Sequence, residues 1–220
     1  MKKIKAVIFD LDNTLVDFIS AKLKSCEEVC KVANCGNAKK LFEYFLSGKH
    51  GFESHENIAD FLKDHGVFNE ELYKKCCEIY EKIKIEKTEA YPGIKEVLIE
   101  LKKRGLKLAV VTDAEKDQAV KRLKKAEILD YFDIIITFDV SRKKKPEPDS
   151  VILALENLKV GTEEAIIVGD SIRRDIEVGK KLGMITVYAA YGDWRFFEKV
   201  KADYKIDSPR ELLKILDNLL

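Results

Sequence analysis

Ala6-Val7-Ile8-Phe9-Asp10-Leu11-Asp12-Asn13-Thr14 sets an unbroken apolar run directly before two acids spaced two residues apart. Continuous rather than alternating apolar character predicts a strand buried on both faces, as in a parallel sheet covered by helices. The form recurs along the chain: Leu108-Ala109-Val110-Val111 leads into Thr112-Asp113, and Ile166-Ile167-Val168 leads into Gly169-Asp170. Ile134-Ile135-Ile136 and Ile185-Thr186-Val187-Tyr188 predict two more strands.

Helical spacing fills the intervals. The pattern predicts helices over Ile94 to Arg104 after Pro92, Glu115 to Ala126, Ser150 to Leu158, Ile172 to Leu182 with Gly183 as the stop, and a last helix capped by Ser208. Strand and helix in alternation imply an α/β class, a doubly wound parallel sheet. In such sheets ligands sit beyond the carboxyl ends of the strands, where strand order reverses. Asp10, Thr112 and Asp170 are all expected there.

Residues 18–89 read differently, with helical spacing throughout and no buried-strand run. Leu41, Phe42, Phe45 and Leu46 mark one helix, Ile58, Phe61 and Leu62 a second after Ser54, and Leu72, Cys76, Ile79, Tyr80 and Ile83 a third. With Leu23, Cys26, Val29, Cys30 and Ala33 they predict an inserted all-helical domain. The expected division is a core of residues 1–17 and 90–220 and an insert of 18–89.

Forty basic and thirty-nine acidic residues nearly cancel. No global field then favours nucleic acid or an anionic membrane, and an anion must be held locally. No apolar stretch approaches the ~20 residues of a membrane helix, and Asp10 and Asp12 interrupt the first apolar run before it resembles an export signal. A soluble, cytoplasmic protein is expected. The five cysteines (Cys26, Cys30, Cys35, Cys76 and Cys77) contain no Cys-x-x-Cys pair. Their helical spacing suits core packing better than metal or disulfide.

Alternation at a strand end would point Asp10 and Asp12 to one side, where their repulsion calls for a divalent cation; a solvated turn is the plainer alternative. Gly169-Asp170-Ser171-Ile172-Arg173-Arg174-Asp175 repeats that logic, with a glycine for a tight turn and two acids able to complete a cation site. Asp170 or Ser171 could equally cap the next helix, with Asp175 paired to an arginine. Thr112 suits phosphate oxygens. In Arg142-Lys143-Lys144-Lys145-Pro146-Glu147-Pro148, the two prolines limit where Lys145 points, although such a basic run also suits a solvated loop.

The ordered set Asp10-x-Asp12-x-Thr14, Thr112, Lys145-Pro146 and Gly169-Asp170-x-x-x-x-Asp175 resembles the haloacid dehalogenase-like hydrolase superfamily, phosphoglycolate phosphatase-like members in particular. The resemblance implies a Rossmann-like core, with residues 18–89 as a helical cap that closes over the site and selects substrate. It implies Asp10 as the nucleophile, Asp12 as the acid and base, and Thr112 and Lys145 as holders of the phosphoryl group, with Asn13 and Asp113 also at the substrate. It implies magnesium as cofactor, held by Asp10, Asp12 through its backbone carbonyl, Asp170 and Asp175.

The expected activity is hydrolysis of a small phosphorylated metabolite through an aspartyl-phosphate. An acid at position 12 argues against dehalogenation, whose leaving group needs no proton. A sugar-phosphate mutase and a non-catalytic binding module on the same fold are the alternatives. Gly48-Lys49-His50-Gly51-Phe52 is the candidate loop for reaching substrate, or an ordinary turn between helices.

Overall fold

The computed structural model describes residues 3–194 and 201–219. Six strands form one parallel sheet: β1 (Ala6–Phe9), β2 (Lys107–Val111), β3 (Ile134–Ile136), β4 (Ala165–Gly169), β5 (Ile185–Ala189) and β6 (Tyr204–Ile206), in the order β3-β2-β1-β4-β5-β6. β1 is central and fully buried. The chain builds outward from β1 through β2 to β3, then returns to β1's other side for β4, so strand order reverses between β1 and β4. Register fixes what meets there: Phe9 is level with Val110 of β2 and with Val168 of β4. Asp10 and Asp170 therefore leave neighbouring strands on either side of the crevice.

Two apolar layers cover the sheet. Val7 and Phe9 share one core with Ile94, Val97, Leu98 and Leu101 of α5 (Ile94–Lys103), Leu123 of α6 (Lys116–Lys125), and Leu212 and Leu216 of α10 (Glu211–Asp217). Ala6 and Ile8, the alternate residues, join Val151, Ala154 and Leu155 of α8 (Asp149–Leu158) and Val178 of α9 (Glu177–Lys181). The two cores account for the unbroken apolar strands, since neither face of β1 meets water. A short α7 (Phe138–Ser141) precedes the basic run.

The described chain divides into two compact units, Met1–Asp17 with Glu89–Leu220, and Phe18–Thr88. The second consists of α1 (Phe18–Ala33), α2 (Ala38–Leu46), α3 (Glu56–Asp64) and α4 (Glu70–Glu86). Their stripes meet in a core holding Cys26, Val29, Leu41, Phe45, Ile58, Phe61, Leu62, Cys76 and Tyr80. Asn37 and Asn69 cap α2 and α4, accepting the N–H groups of Lys40 and Leu72. All five cysteines are free thiols, and burial pushes those of Cys26 and Cys76 up to about 12 and about 11. Among the described residues no helix is long and apolar enough to cross a membrane.

Two expectations need correction, and one strand was missed. β6 was not foreseen, because in this short edge strand only Ile206 is buried. The helix expected from Ile172 opens as a π-helical turn over Ile172–Ile176 before α9 begins. Ser208 does not cap α10 with its side chain; the helix starts at Glu211, whose N–H donates to the Ser208 carbonyl.

Candidate active site

The turn after β1 is held from several directions. The Leu11 carbonyl accepts the N–H groups of Leu15 and Val16, and Asn13 N–H donates to the Val16 carbonyl. Asn13 takes a left-handed conformation at φ 63°, which asparagine tolerates better than most residues. The Thr14 hydroxyl accepts the Asp170 N–H at 3.0 Å, tying this turn to the end of β4. The Tyr191 hydroxyl donates to the Thr14 carbonyl at 2.8 Å. Gly192 lies so close behind the turn that a Cβ there would stand 1.5 Å from the Asn13 carbonyl oxygen.

Asp10, Asp170 and Asp175 each offer a carboxylate oxygen, and these atoms lie within 4.8 Å of one another, all on buried residues. Asp175 reaches this group from the π-helical turn. Gly169 makes room for it: a Cβ there would meet the Asp175 Cγ at 2.2 Å. Gly169 is thus required for close approach, and not for the tight-turn conformation expected from sequence. Asp175 also accepts the Ser171 N–H at 3.0 Å.

Lys145 is the positive centre of the group. Its Nζ donates to Asp10 Oδ1 and Asp175 Oδ1, each at 2.6 Å, and to the Val111 carbonyl at 3.0 Å. These three bonds use all three of its N–H groups. Burial alone would lower its pKa, but Asp10, Asp175 and Asp113 outweigh it and hold the ammonium above its ordinary value. Burial raises the Asp175 pKa, with Lys145 opposing. Asp113 supports the lysine by accepting its backbone N–H at 3.0 Å.

Arg174, not foreseen from the sequence, adds a second positive charge. Its Nη1 is 3.5 Å from Asp113 Oδ2 and its Nη2 3.8 Å from Asp170 Oδ1. Its place directly before Asp175 in the basic pair Arg173-Arg174 was the available signal. Thr112 is buried, and its Oγ1 accepts the Ala114 N–H at 3.1 Å, so its own hydroxyl proton can be given elsewhere.

The Asp12 carboxylate does not join the three acids. Its Oδ2 accepts Nη1 of Arg122 at 2.5 Å. The repulsion expected between Asp10 and Asp12 is therefore met by two separate bases, Lys145 and Arg122. Arg122 could have been flagged, since it sits in the stripe Ala119, Leu123, Ala126 that buries α6. Lys49 and His50 both bind Asp60 of α3, His50 Nε2 at 3.0 Å.

The donor set suits a hard divalent cation. Asp10, Asp113, Asp170 and Asp175 outnumber Lys145 and Arg174, and the buried Asp10 Oδ2 accepts no hydrogen bond among the described residues. A buried carboxylate oxygen without a donor is costly unless a positive charge meets it.

The sequence pattern of haloacid dehalogenase-like hydrolases matches residues 7–189. A phosphoglycolate phosphatase of Aquifex aeolicus is 32% identical, over 97% of this chain and 97% of its own. A glyceraldehyde 3-phosphate phosphatase of Methanocaldococcus jannaschii is 29% identical, over 98% of each. The crystal structure of YfnB from Bacillus subtilis, solved bound to magnesium, superposes with a TM-score of 0.78 at 21% identity over 98% of this chain and 100% of its own. That last likeness bears on the fold alone.

Proposed function

This chain belongs to the haloacid dehalogenase-like hydrolases and is a phosphatase among them, and from that premise we propose that it hydrolyses a small phosphate monoester, with magnesium, through an aspartyl-phosphate on Asp10. The observation that carries the reading is the state of Asp10. One oxygen is held by Lys145, and the other is buried and accepts no hydrogen bond among the described residues; a carboxylate oxygen of Asp10 lies within 4.8 Å of those of Asp170 and Asp175. Such a carboxylate is fixed in direction and poised to meet an electrophile or a cation.

In the first half-reaction a carboxylate oxygen of Asp10 attacks phosphorus. The new bond joins that oxygen to phosphorus, the ester P–O bond breaks, and Asp12 gives its proton to the leaving oxygen. In the second, Asp12 takes a proton from water as that water attacks phosphorus, the bond to Asp10 breaks and phosphate departs. Thr112 donates its hydroxyl proton to a phosphoryl oxygen, while Asn13 and Asp113 line the place the substrate takes. A phosphoryl oxygen that meets Lys145 replaces one of the three acceptors it now holds. Asp10, Asp170, Asp175 and the Asp12 carbonyl are the groups that would hold magnesium. When bound, the ion supplies positive charge to the phosphoryl oxygens and to the crowded acids.

Residues 18–89 serve as the cap in this reading, which also takes the protein to be a cytoplasmic enzyme of small-metabolite chemistry. The phosphatase names of the two relatives, each covering nearly the whole chain, support a small phosphorylated substrate. The test is phosphate release from phosphoglycolate, triose and sugar phosphates, nucleotides and pyrophosphate, with and without magnesium. Magnesium-dependent release from at least one small ester, lost in Asp10→Asn, is expected. No release from any ester would favour a binding module, and sugar-phosphate isomerisation faster than hydrolysis would favour a mutase.

A further inference from the structure

The two bases beside Asp10, Asp170 and Asp175 are held very differently. Lys145 is buried and commits all three N–H groups, two of them to carboxylates at 2.6 Å. Arg174 keeps 37% of its side chain exposed, and its nearest acid oxygens lie at 3.5 Å in Asp113 and 3.8 Å in Asp170. A guanidinium seated in a carboxylate approaches to about 2.7–2.9 Å, often through both arms. Neither acid seats Arg174 in that way, and its one hydrogen bond among the described residues is the long one to Asp113.

Those two acids stand on opposite sides of β1. Asp113 follows β2 and Asp170 follows β4, with β1 between them in the sheet. Neighbouring strands are about 4.8 Å apart, so a guanidinium near both acids lies across the end of the strand that delivers Asp10. Burial would lower the Arg174 pKa, but Asp10, then Asp175, Asp170 and Asp113, hold it above its ordinary value. The place beyond Asp10, where phosphorus must come for attack, is thus within the field of a part-exposed and loosely held arginine.

We infer that Arg174 is a phosphoryl-binding residue, whose guanidinium donates to oxygens of the group that Asp10 attacks. The inference rests on the reaction proposed for Asp10. Four acids surround these two bases, so the incoming dianion depends on donors that are not already committed. Lys145 meets a phosphoryl oxygen only by giving up an acceptor, whereas Arg174 donates without losing a short bond. Its planar fork also spans two oxygens of one phosphoryl group, which an ammonium does not. A mere counter-charge for Asp113 and Asp170 would be served equally by lysine.

The test titrates inorganic phosphate into the native protein, Arg174→Lys and Arg174→Gln with magnesium saturating. It also measures kcat/KM of each on p-nitrophenyl phosphate, glycerol phosphate and phosphoglycolate. Losing a charge-assisted hydrogen bond should weaken phosphate about tenfold or more in Arg174→Gln and lower kcat/KM on every ester by a similar factor. Arg174→Lys should recover part of both and stay short of native, and it carries the test if the glutamine variant does not fold. Where phosphate binds too weakly to titrate, kcat/KM decides. Native values in both variants, or full recovery with lysine, would overturn the inference. A loss confined to phosphoglycolate would also overturn it, by assigning Arg174 to the carboxylate of that substrate. In each of these cases hydrolysis through Asp10 stands. A native protein that released phosphate from none of the esters would instead remove that reading and the inference with it.

Discussion

Lys145 Nζ stands 2.6 Å from Asp10 Oδ1 and, through a second bond of the same length, joins that strand end to Asp175 in the π-helical turn. Both acids and the lysine are buried. Lys145→Met leaves the carboxylates without their shared counter-charge, and removing one partner of a buried pair costs about 3–5 kcal/mol. Chemical denaturation in the absence of magnesium should show a loss of that order. Magnesium should then stabilise the variant more than the native chain, because the denuded acids attract the cation more strongly. Turnover should fall by about a hundredfold or more. An unchanged denaturation midpoint would remove Lys145 from this role.

Gly192 backs the turn that carries Asp12 and Asn13. A Cβ there would collide with the Asn13 carbonyl oxygen at 1.5 Å, and a backbone atom cannot swing aside as a side-chain tip can. Gly192→Ala should displace the turn and destabilise the protein by about 1–3 kcal/mol. A displacement near 1 Å in such a site lowers kcat by up to about a hundredfold. Circular dichroism should show an intact fold beside the slowed turnover, and native kcat would contradict the buttress.

Within the helical unit, His55 Nε2 lies 2.9 Å from Glu81 Oε1, which Lys84 also meets at 2.7 Å. Hydrogen bonds to Cys77 and then Glu81 outweigh burial and raise the His55 pKa from 6.5 to about 9. The folded value lies above the unfolded one, so protonated His55 stabilises fully below pH 6.5 and its contribution is lost as pH rises through about 9. Burial would raise the Glu81 pKa, but His55 and Lys84 bring it down from 4.5 to about 2. Its contribution is therefore present above pH 4.5 and lost as pH falls through about 2. The urea midpoint should decline between pH 6.5 and 9, and His55→Gln should flatten that decline. The same slope in the variant would assign it to other groups.

The strands that build the sheet centre were readable because burial on both faces leaves no polar alternation to confuse them. β6 was not, since its register with β5 rather than its own apolar content makes it a strand, Ala189 lying level with Ile206. Periodicity also cannot report a π-helical turn, which differs from an α-helix in its hydrogen bonds and not in its apolar stripe. At the site, placement beyond the strand ends followed from the apolar runs. Side-chain direction did not: Arg142, Lys143 and Lys144 are exposed, Lys145 alone of the four is buried, and local sequence chemistry does not distinguish them. Asp12 turned to Arg122 for the same reason, because its partner is supplied by a helix distant in sequence.

The proposal that Asp10 carries the phosphoryl group is tested most directly by acid-quenching a single turnover of a labelled phosphate ester and mapping the label. Phosphate bound through an acyl linkage to the peptide containing Asp10, released by hydroxylamine and lost in Asp10→Asn, is the predicted result. Native turnover by Asp10→Asn, or full hydrolysis with no label on that peptide at any quench time, would contradict it.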